Sequence, residues 1–321
     1  MGREYRDLIN PATEKVYGKL VLGNQSDVDA AVKAARSAFE TFSRSSISDR
    51  IALITAIIRS YSARMDEIGE SICEGLGAPV KFAKRFQAGA GLAHFKQIIK
   101  VLENYNFQQD FNQTRIIKEP IGVCGLIVPW NWPMNQITCK IAPAIAAGCT
   151  MVLKPSELIP EPAIILMEIL EDVGVPPGVV NMVQGDGPVV GAAIASHPEV
   201  DMISFTGSTQ GGIAVAELAA KSVKRVSQEL GGKAANILLD DVDFETAVDR
   251  GIRLCFRNSG QSCNSPSRML VPKKRLDQVI SFAKTSVNLI KVGYPIDDGV
   301  DLGPVVSCKQ WESIQSFINI G

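Results

Sequence analysis

The sequence predicts an α/β protein, and three patterns point to it. Between Pro120 and Gln228, short apolar runs alternate with segments whose apolar residues recur every three or four positions. Runs such as Ile121-Gly-Val-Cys-Gly-Leu-Ile-Val128 are apolar throughout, as expected of strands buried on both faces. The chain has 321 residues, enough for a large core and two domains. Together these predict a Rossmann-like parallel sheet covered by helices, followed by a second, smaller α/β unit.

The elements follow in order. A short apolar strand ends at the turn Asn10-Pro11-Ala-Thr13. Ser26-Asp-Val-Asp29 reads as the cap of a helix with a small-residue face at Ala30, Ala31, Ala34, Ala35 and Ala38. Two long helical stretches are expected over residues 47–76 and 80–104. Residues 106–119 are polar and read as an exposed hairpin or arm. Strands are then expected at 121–128, 150–153, 179–183, 202–205 and 225–228, with helices between them at 134–147, 163–173, 189–196 and 212–220. The second unit starts at Ala234 with a strand at 236–240, a helix at 244–256, a loop holding Cys263, a strand at 268–271 and a helix to about residue 290. The last residues, 316–321, read as the end of a helix.

Composition narrows the function classes. The chain is 46% hydrophobic and 21% charged with a net charge of −1, so nothing in its charge attracts nucleic acid or an anionic membrane. The run Lys273-Lys274-Arg275 reads as a solvated turn. The seven cysteines, at 73, 124, 139, 149, 255, 263 and 308, are odd in number and have no metal-ligand spacing, so neither a disulfide scaffold nor a zinc site is expected. The two histidines, His94 and His197, read as structural, which leaves a Ser-His-Asp enzyme without support. The charged start of the chain has no signal-peptide pattern and no apolar run has membrane-spanning length, so a reducing cytoplasmic setting is expected.

Cys263 stands out. It lies in Asn258-Ser-Gly-Gln-Ser-Cys-Asn-Ser-Pro-Ser-Arg268, among Gly and small polar residues that favour a loop and an accessible thiol. A thiolate there could attack an aldehyde and form a thiohemiacetal, from which hydride can leave. Four further motifs precede it in the chain: Pro129-Trp-Asn-Trp-Pro133, Lys154-Pro-Ser-Glu157, Phe205-Thr-Gly-Ser-Thr209 and Glu229-Leu-Gly-Gly-Lys233.

In this order the five motifs resemble the NAD(P)-dependent aldehyde dehydrogenase superfamily, over about residues 9–321. The resemblance implies an aldehyde dehydrogenase-like fold: an NAD-binding domain over 1–231, with an oligomerisation arm at 104–119, and the first part of a catalytic domain over 232–321. It implies oxidation of a small-molecule aldehyde to an acid, with Cys263 as nucleophile and Glu229 as general base in a mostly apolar funnel. Asn131 and the Cys263 N–H would form the oxyanion hole, with Lys140 as electrostatic support. Trp130, Lys154, Glu157, Gly207, Ser208, Leu230 and Gln310 would bind the cofactor. Glu157 beside the adenosine ribose favours NAD over NADP. Gly207 and Ser208 open a helix whose N-terminus suits a pyrophosphate. Trp132, Asn135, Gln136, Cys139, Ser262 and Asn264 would line the aldehyde pocket. No metal is implied.

Family members run about half as long again. The Glu-containing Phe-Gly-Pro motif that holds the nicotinamide ribose and the C-terminal strand that pairs with the arm are not in this sequence. The expected alternatives are therefore an aldehyde dehydrogenase whose full catalytic form, a homodimer or homotetramer, contains more polypeptide, and a truncated, inactive nucleotide-binding protein or aldehyde dehydrogenase remnant. Transfer of the acyl group to coenzyme A is a third reading, disfavoured by the presence of Glu229.

Overall fold

The computed structural model describes residues 2–321. The chain opens with an antiparallel hairpin, β1 (Tyr5–Asn10) and β2 (Lys15–Val21). Helix α1 (Gln25–Phe42) follows, and Asn24 caps it rather than Ser26. Asn24 is extended, and its side chain accepts from the N–H groups of Ser26 and Asp27, while Asp27 Oδ2 accepts from the Asn24 N–H at 2.9 Å. This reciprocal pairing satisfies donors that a cap at Ser26 would leave bare.

The stretch expected as one helix over 47–76 is two: α2 (Ile47–Ala63) and α3 (Met65–Leu76). They break at Arg64, where ψ is 12° and the guanidinium ties Glu67 to Glu168 at 2.7 Å each. The next stretch stays helical but changes pitch. It runs from α4 (Val80–Phe82) through a π turn (Ala83–Ala88) into α5 (Gly89–Asn104). A two-stranded arm, β3 (Gln108–Phe111) with β4 (Thr114–Ile117), is exposed at every residue, as the polar sequence predicts.

The centre is a five-stranded parallel sheet. In chain order it holds β5 (Val123–Ile127), β6 (Thr150–Lys154), β7 (Val180–Met182), β8 (Met202–Gly207) and β9 (Arg225–Leu230). In space the order is β7-β6-β5-β8-β9. Strands β5 and β6 are buried at every residue, whereas the edge strand β9 alternates between exposed and half-buried. Helices α6 (Pro133–Ala147), α7 (Glu161–Asp172), α8 (Ala192–Ser196) and α9 (Thr209–Ala220) connect the strands. Pro133 starts α6 and Gly148, at φ +81°, ends it. Arg50 of α2 donates to the Ala146 carbonyl in that last turn at 2.7 Å. The order reverses at β5: β6 and β7 add on one side, β8 and β9 on the other. Open α/β sheets bind ligands at the strand carboxyl ends beside such a switch point.

The remaining unit is smaller. Its sheet has two parallel strands, β10 (Ala235–Ile237) and β11 (Arg268–Leu270), connected through α10 (Phe244–Phe256) and followed by α11 (Leu276–Asn288). Its fully packed core is Leu238, Phe244, Val248 and Val279. The closing helix α12 (Cys308–Ile320) buries none of its residues. Among the described residues, no helix is long and apolar enough to cross a membrane, and no cluster of His, Cys, Asp and Glu could hold a metal. All seven cysteines are free thiols.

Candidate active site

Cys263 is exposed, in the turn between α10 and β11. The segment before it is unusual. Asn258, Ser259 and Gly260 are all left-handed, at φ 58°, 56° and 75°. For Gly260 this is free, but each of the other two costs about 1–2 kcal/mol. Such strain persists only where the surroundings fix the backbone. Here they do: Asn258 is 4% exposed, and its Nδ2 donates to the carbonyls of Asn131 (2.8 Å) and Gln261 (3.2 Å). Gln261 is also buried; its Oε1 accepts from the Val306 N–H at 2.9 Å. Ser259 Oγ donates to the Gly303 carbonyl at 2.8 Å.

The motif after β5 is bolted to this turn. Asn131 Nδ2 donates to the Gln261 carbonyl at 3.0 Å, and Trp132 Nε1 donates to Ser262 Oγ at 2.8 Å. Thus two hydrogen bonds join the Pro129–Pro133 segment to the two residues just before Cys263. One Asn131 Nδ2 hydrogen is left over, and the Cys263 N–H has no protein acceptor among the described residues. Both groups are donors of the kind an oxyanion requires. The Glu229-Leu-Gly-Gly segment closes in from the third side: a Cβ on Gly232 would lie 3.5 Å from the Cys263 carbonyl oxygen.

Lys140 is 7% exposed and reaches from α6 to Ser204 Oγ on β8 at 2.9 Å. Burial pushes it below the usual lysine range, against the pull of Cys139 and of the Glu229 carboxylate. Burial also raises the neighbouring Cys139 thiol. The charge of Glu229 is thus felt on the α6 face that carries Lys140. Where an apolar funnel is expected around Glu229, that residue is exposed on the edge strand β9. Among the described residues no further strand pairs with that edge.

The cofactor candidates gather at the carboxyl ends of the strands. Trp130 follows β5, Lys154 closes β6 and Gly207 closes β8. Ser208 caps α9, its Oγ accepting from the Gly211 N–H at 3.1 Å. Lys154 is 3% exposed and bonds the Pro155 carbonyl and Glu157 at 2.7 and 2.9 Å. Arg6 also reaches Glu157, at 3.4 Å. Burial works to raise the Glu157 pKa, but Lys154, a backbone N–H and Arg6 outweigh it and hold the carboxyl below the ordinary range. Leu230 lies against Gly212, where a Cβ would come within 2.8 Å of its side chain. Gln310 is not drawn in: its N–H is spent on the Ser307 cap, and its side chain bonds nothing among the described residues.

The pocket candidates divide. Trp132 and Ser262 are bonded to each other, Gln136 is buried, and Asn264 is exposed with no side-chain bond among the described residues. Asn135 Oδ1 is paired with His94 Nε2 of α5 at 2.8 Å, so His94 bears on this wall. Phe82 packs edge-on against Trp132 at 5.5 Å. A groove of about 490 Å³ near Arg3, Gly23 and Gln184 contains none of the candidates, so hydrogen bonding rather than concavity marks the site. Sequence reasoning missed Gln87, which is wholly buried and donates to both the Asn131 carbonyl (3.1 Å) and Asn258 Oδ1 (2.9 Å). A buried glutamine in an otherwise apolar helix face was the only available signal.

Residues 2–321 match the aldehyde dehydrogenase family. The chain belongs to that family. It is 52% identical over 321 residues to a 3-succinoylsemialdehyde-pyridine dehydrogenase from a Pseudomonas species, covering 100% of this chain and 67% of that protein. A mutant of aldehyde dehydrogenase C from Pseudomonas syringae, crystallised with NAD+ and octanal, superposes with a TM-score of 0.97 at 46% identity, over 98% of this chain and 65% of that one. The betaine aldehyde dehydrogenase of Staphylococcus aureus with NAD+ gives a TM-score of 0.94 at 33% identity, over 98% and 64% of the two chains. The chain thus spans about two thirds of the length of these aldehyde dehydrogenases. Its α/β fold with a parallel Rossmann-like sheet is the fold of those structures.

Proposed function

We propose that the protein oxidises an aldehyde to a carboxylic acid with NAD, through a covalent adduct on Cys263. The observation that carries this reading is the pair of hydrogen bonds, Asn131 to Gln261 and Trp132 to Ser262, that tie a carboxamide donor to the two residues preceding Cys263. The Cys263 thiolate attacks the carbonyl carbon, and the second Asn131 hydrogen and the Cys263 N–H receive the developing oxyanion. NAD, when bound, supplies the hydride acceptor. Glu229 then takes a proton from water as it attacks the Cys263 thioester, releasing the acid and restoring the thiol. Lys140 supports the site through its charge.

The residues at the strand ends fit a dinucleotide. The α9 N-terminus with Gly207 and Ser208 offers N–H groups to a pyrophosphate, and the buried Lys154–Glu157 pair offers a donor and an acceptor to ribose hydroxyls. Trp130 and Leu230 complete this set, while Trp132, Asn135, Gln136, Ser262 and Asn264 meet the aldehyde. Similar proteins crystallised with NAD+ support NAD over NADP, although the two cations beside Glu157 weaken the charge argument. Residues 1–231 serve as the cofactor domain and residues 232–321 as part of the catalytic domain. The exposed arm at 104–119 suits self-association into a dimer or tetramer, and the free thiols suit the cytoplasm.

A second reading, nucleotide binding without turnover, is favoured by the exposure of Glu229 and Cys263. Calorimetric titration with NAD and NADH absorbance after adding octanal separate the two. Binding with NADH formation that Cys263→Ala abolishes is the expected result. Binding alone selects the second reading, and turnover surviving in Cys263→Ala sinks the nucleophile assignment.

A further inference from the structure

Granting Cys263 as the nucleophile, we infer that Gln87 and Asn258 form a carboxamide clasp that positions the Cys263 turn and the Asn131 donor as one unit. Three segments distant in sequence meet here: the π turn, the segment after β5, and the turn after α10. Gln87 sits near the end of the π turn (Ala83–Ala88), where the wider pitch re-aims its side chain relative to a regular helix. Both hydrogens of its Nε2 are spent, one on the Asn131 carbonyl and one on Asn258 Oδ1. Asn258 relays the contact, since its Nδ2 donates to the same Asn131 carbonyl and to the Gln261 carbonyl. Asn131 Nδ2 closes the circuit on that Gln261 carbonyl.

The clasp therefore holds Asn131 by its main chain and its side chain, and holds the nucleophile turn by the residue that begins the left-handed run. Gln87 and Asn258 are almost sealed from solvent, at 0% and 4% exposure, so water cannot replace a lost donor without rearrangement. Gln87 Oε1 is itself buried without a partner. An orphaned acceptor is unfavourable, and an apolar side chain of the same length would avoid it. The glutamine is explained by its two donors rather than by packing. Among the described residues the Gln87 side chain hydrogen-bonds Asn131 and Asn258 but not Cys263, so it is a positioning residue.

The test is hydrogen–deuterium exchange on the 321-residue chain, read peptide by peptide. In Gln87→Met, the segments 129–132 and 257–264 are expected to exchange about ten-fold faster or more, while β5, β6 and α11 keep their protection. Asn258→Ala is expected to loosen the same segments, and the double variant no more than the stronger single one, because both break one circuit. Gln87→Glu provides a readout that a packing role would not move. Its ionised form has no donor, and its protonated form regains one, so protection of the two segments should return as pH falls, after correction for intrinsic exchange. Unchanged protection in Gln87→Met, or uniform loosening of α5 and the core, would overturn the clasp. If Gln87→Met does not fold, the pH response of Gln87→Glu decides alone, and a flat response overturns it. NAD titration of the unsubstituted chain tests the proposed function separately.

Discussion

The two halves of the candidate site rest on very different foundations. Asn131 and Lys140 belong to the unit built on the five-stranded sheet, whose strands β5 and β6 are buried at every residue and whose largest core cluster gathers α2, α3, α5, α6 and α7. Cys263 belongs to a unit with four fully packed core residues and many exposed apolar ones, including Ile237, Leu239, Leu270 and Leu289. The dense half is held by packing. The sparse half is held, at the point that matters, by hydrogen bonds to the dense half. Within residues 2–321 the Cys263 turn is therefore fixed by hydrogen bonds across this interface.

The largest expected effect probes the packing side of this contrast. Ile141→Ala in α6, at a wholly buried site, should lower stability by about 2–5 kcal/mol in urea unfolding. Val248→Ala, buried in the small unit, should cost about 1–2 kcal/mol and show up as faster exchange confined to α10, α11, β10 and β11. If Val248→Ala lowers the global transition as much as Ile141→Ala does, the two regions are one cooperative unit and the contrast fails.

A smaller effect lies within the dense half. Glu161 is half-buried at the start of α7, and its Oε2 is sealed from solvent with no partner among the described residues. Burial raises its pKa, outweighing a backbone N–H and the nearby Tyr17. A raised carboxyl favours folding while protonated, so its contribution is present at low pH and lost as pH rises through the folded-state value. Glu161→Gln mimics the protonated form. It should raise the melting temperature at neutral pH and leave it unchanged well below the ordinary carboxylate range. Equal melting shifts at both pH values would count against a buried, strained carboxyl.

The smallest effect sharpens the hydrogen-bond side. Trp132→Phe keeps the edge-on contact with Phe82 but removes the donor to Ser262. A stability loss of about 0.5–1.5 kcal/mol is expected, with increased exchange limited to the Cys263 turn. Loosening of α6 as well would mean that the indole acts through bulk packing.

What the sequence made legible follows the same division. Continuous apolar runs marked β5 and β6 because those strands are buried on both faces. The polar arm was visible because all its residues are exposed. Helix breaks at Arg64 and in the π turn were not, because apolar periodicity persists across a change of pitch or direction. In the site, Cys263 and Asn131 announce themselves through local motifs. Glu229 was placed on its strand, but its exposure depends on whatever packs against the sheet edge, and no local pattern encodes that. Gln87 was invisible for a related reason. Burial on a helix face can be read from periodicity, whereas its partners lie 44 and 171 residues away.

That separation has a consequence for assembly. The bond from Asn131 to Gln261 closes a span of 130 residues, and β10 pairs with β11 in parallel, so neither can form as a local hairpin. Loops of this length lose chain entropy before any contact repays it, and such pairings form slowly. The thiol turn is therefore expected to acquire its left-handed shape after the large sheet has presented the Asn131 carbonyl as a template. During refolding, native protection should therefore reach the central strands first and the Cys263 turn last. A nascent chain would then leave this turn unformed until the surface that shapes it already exists.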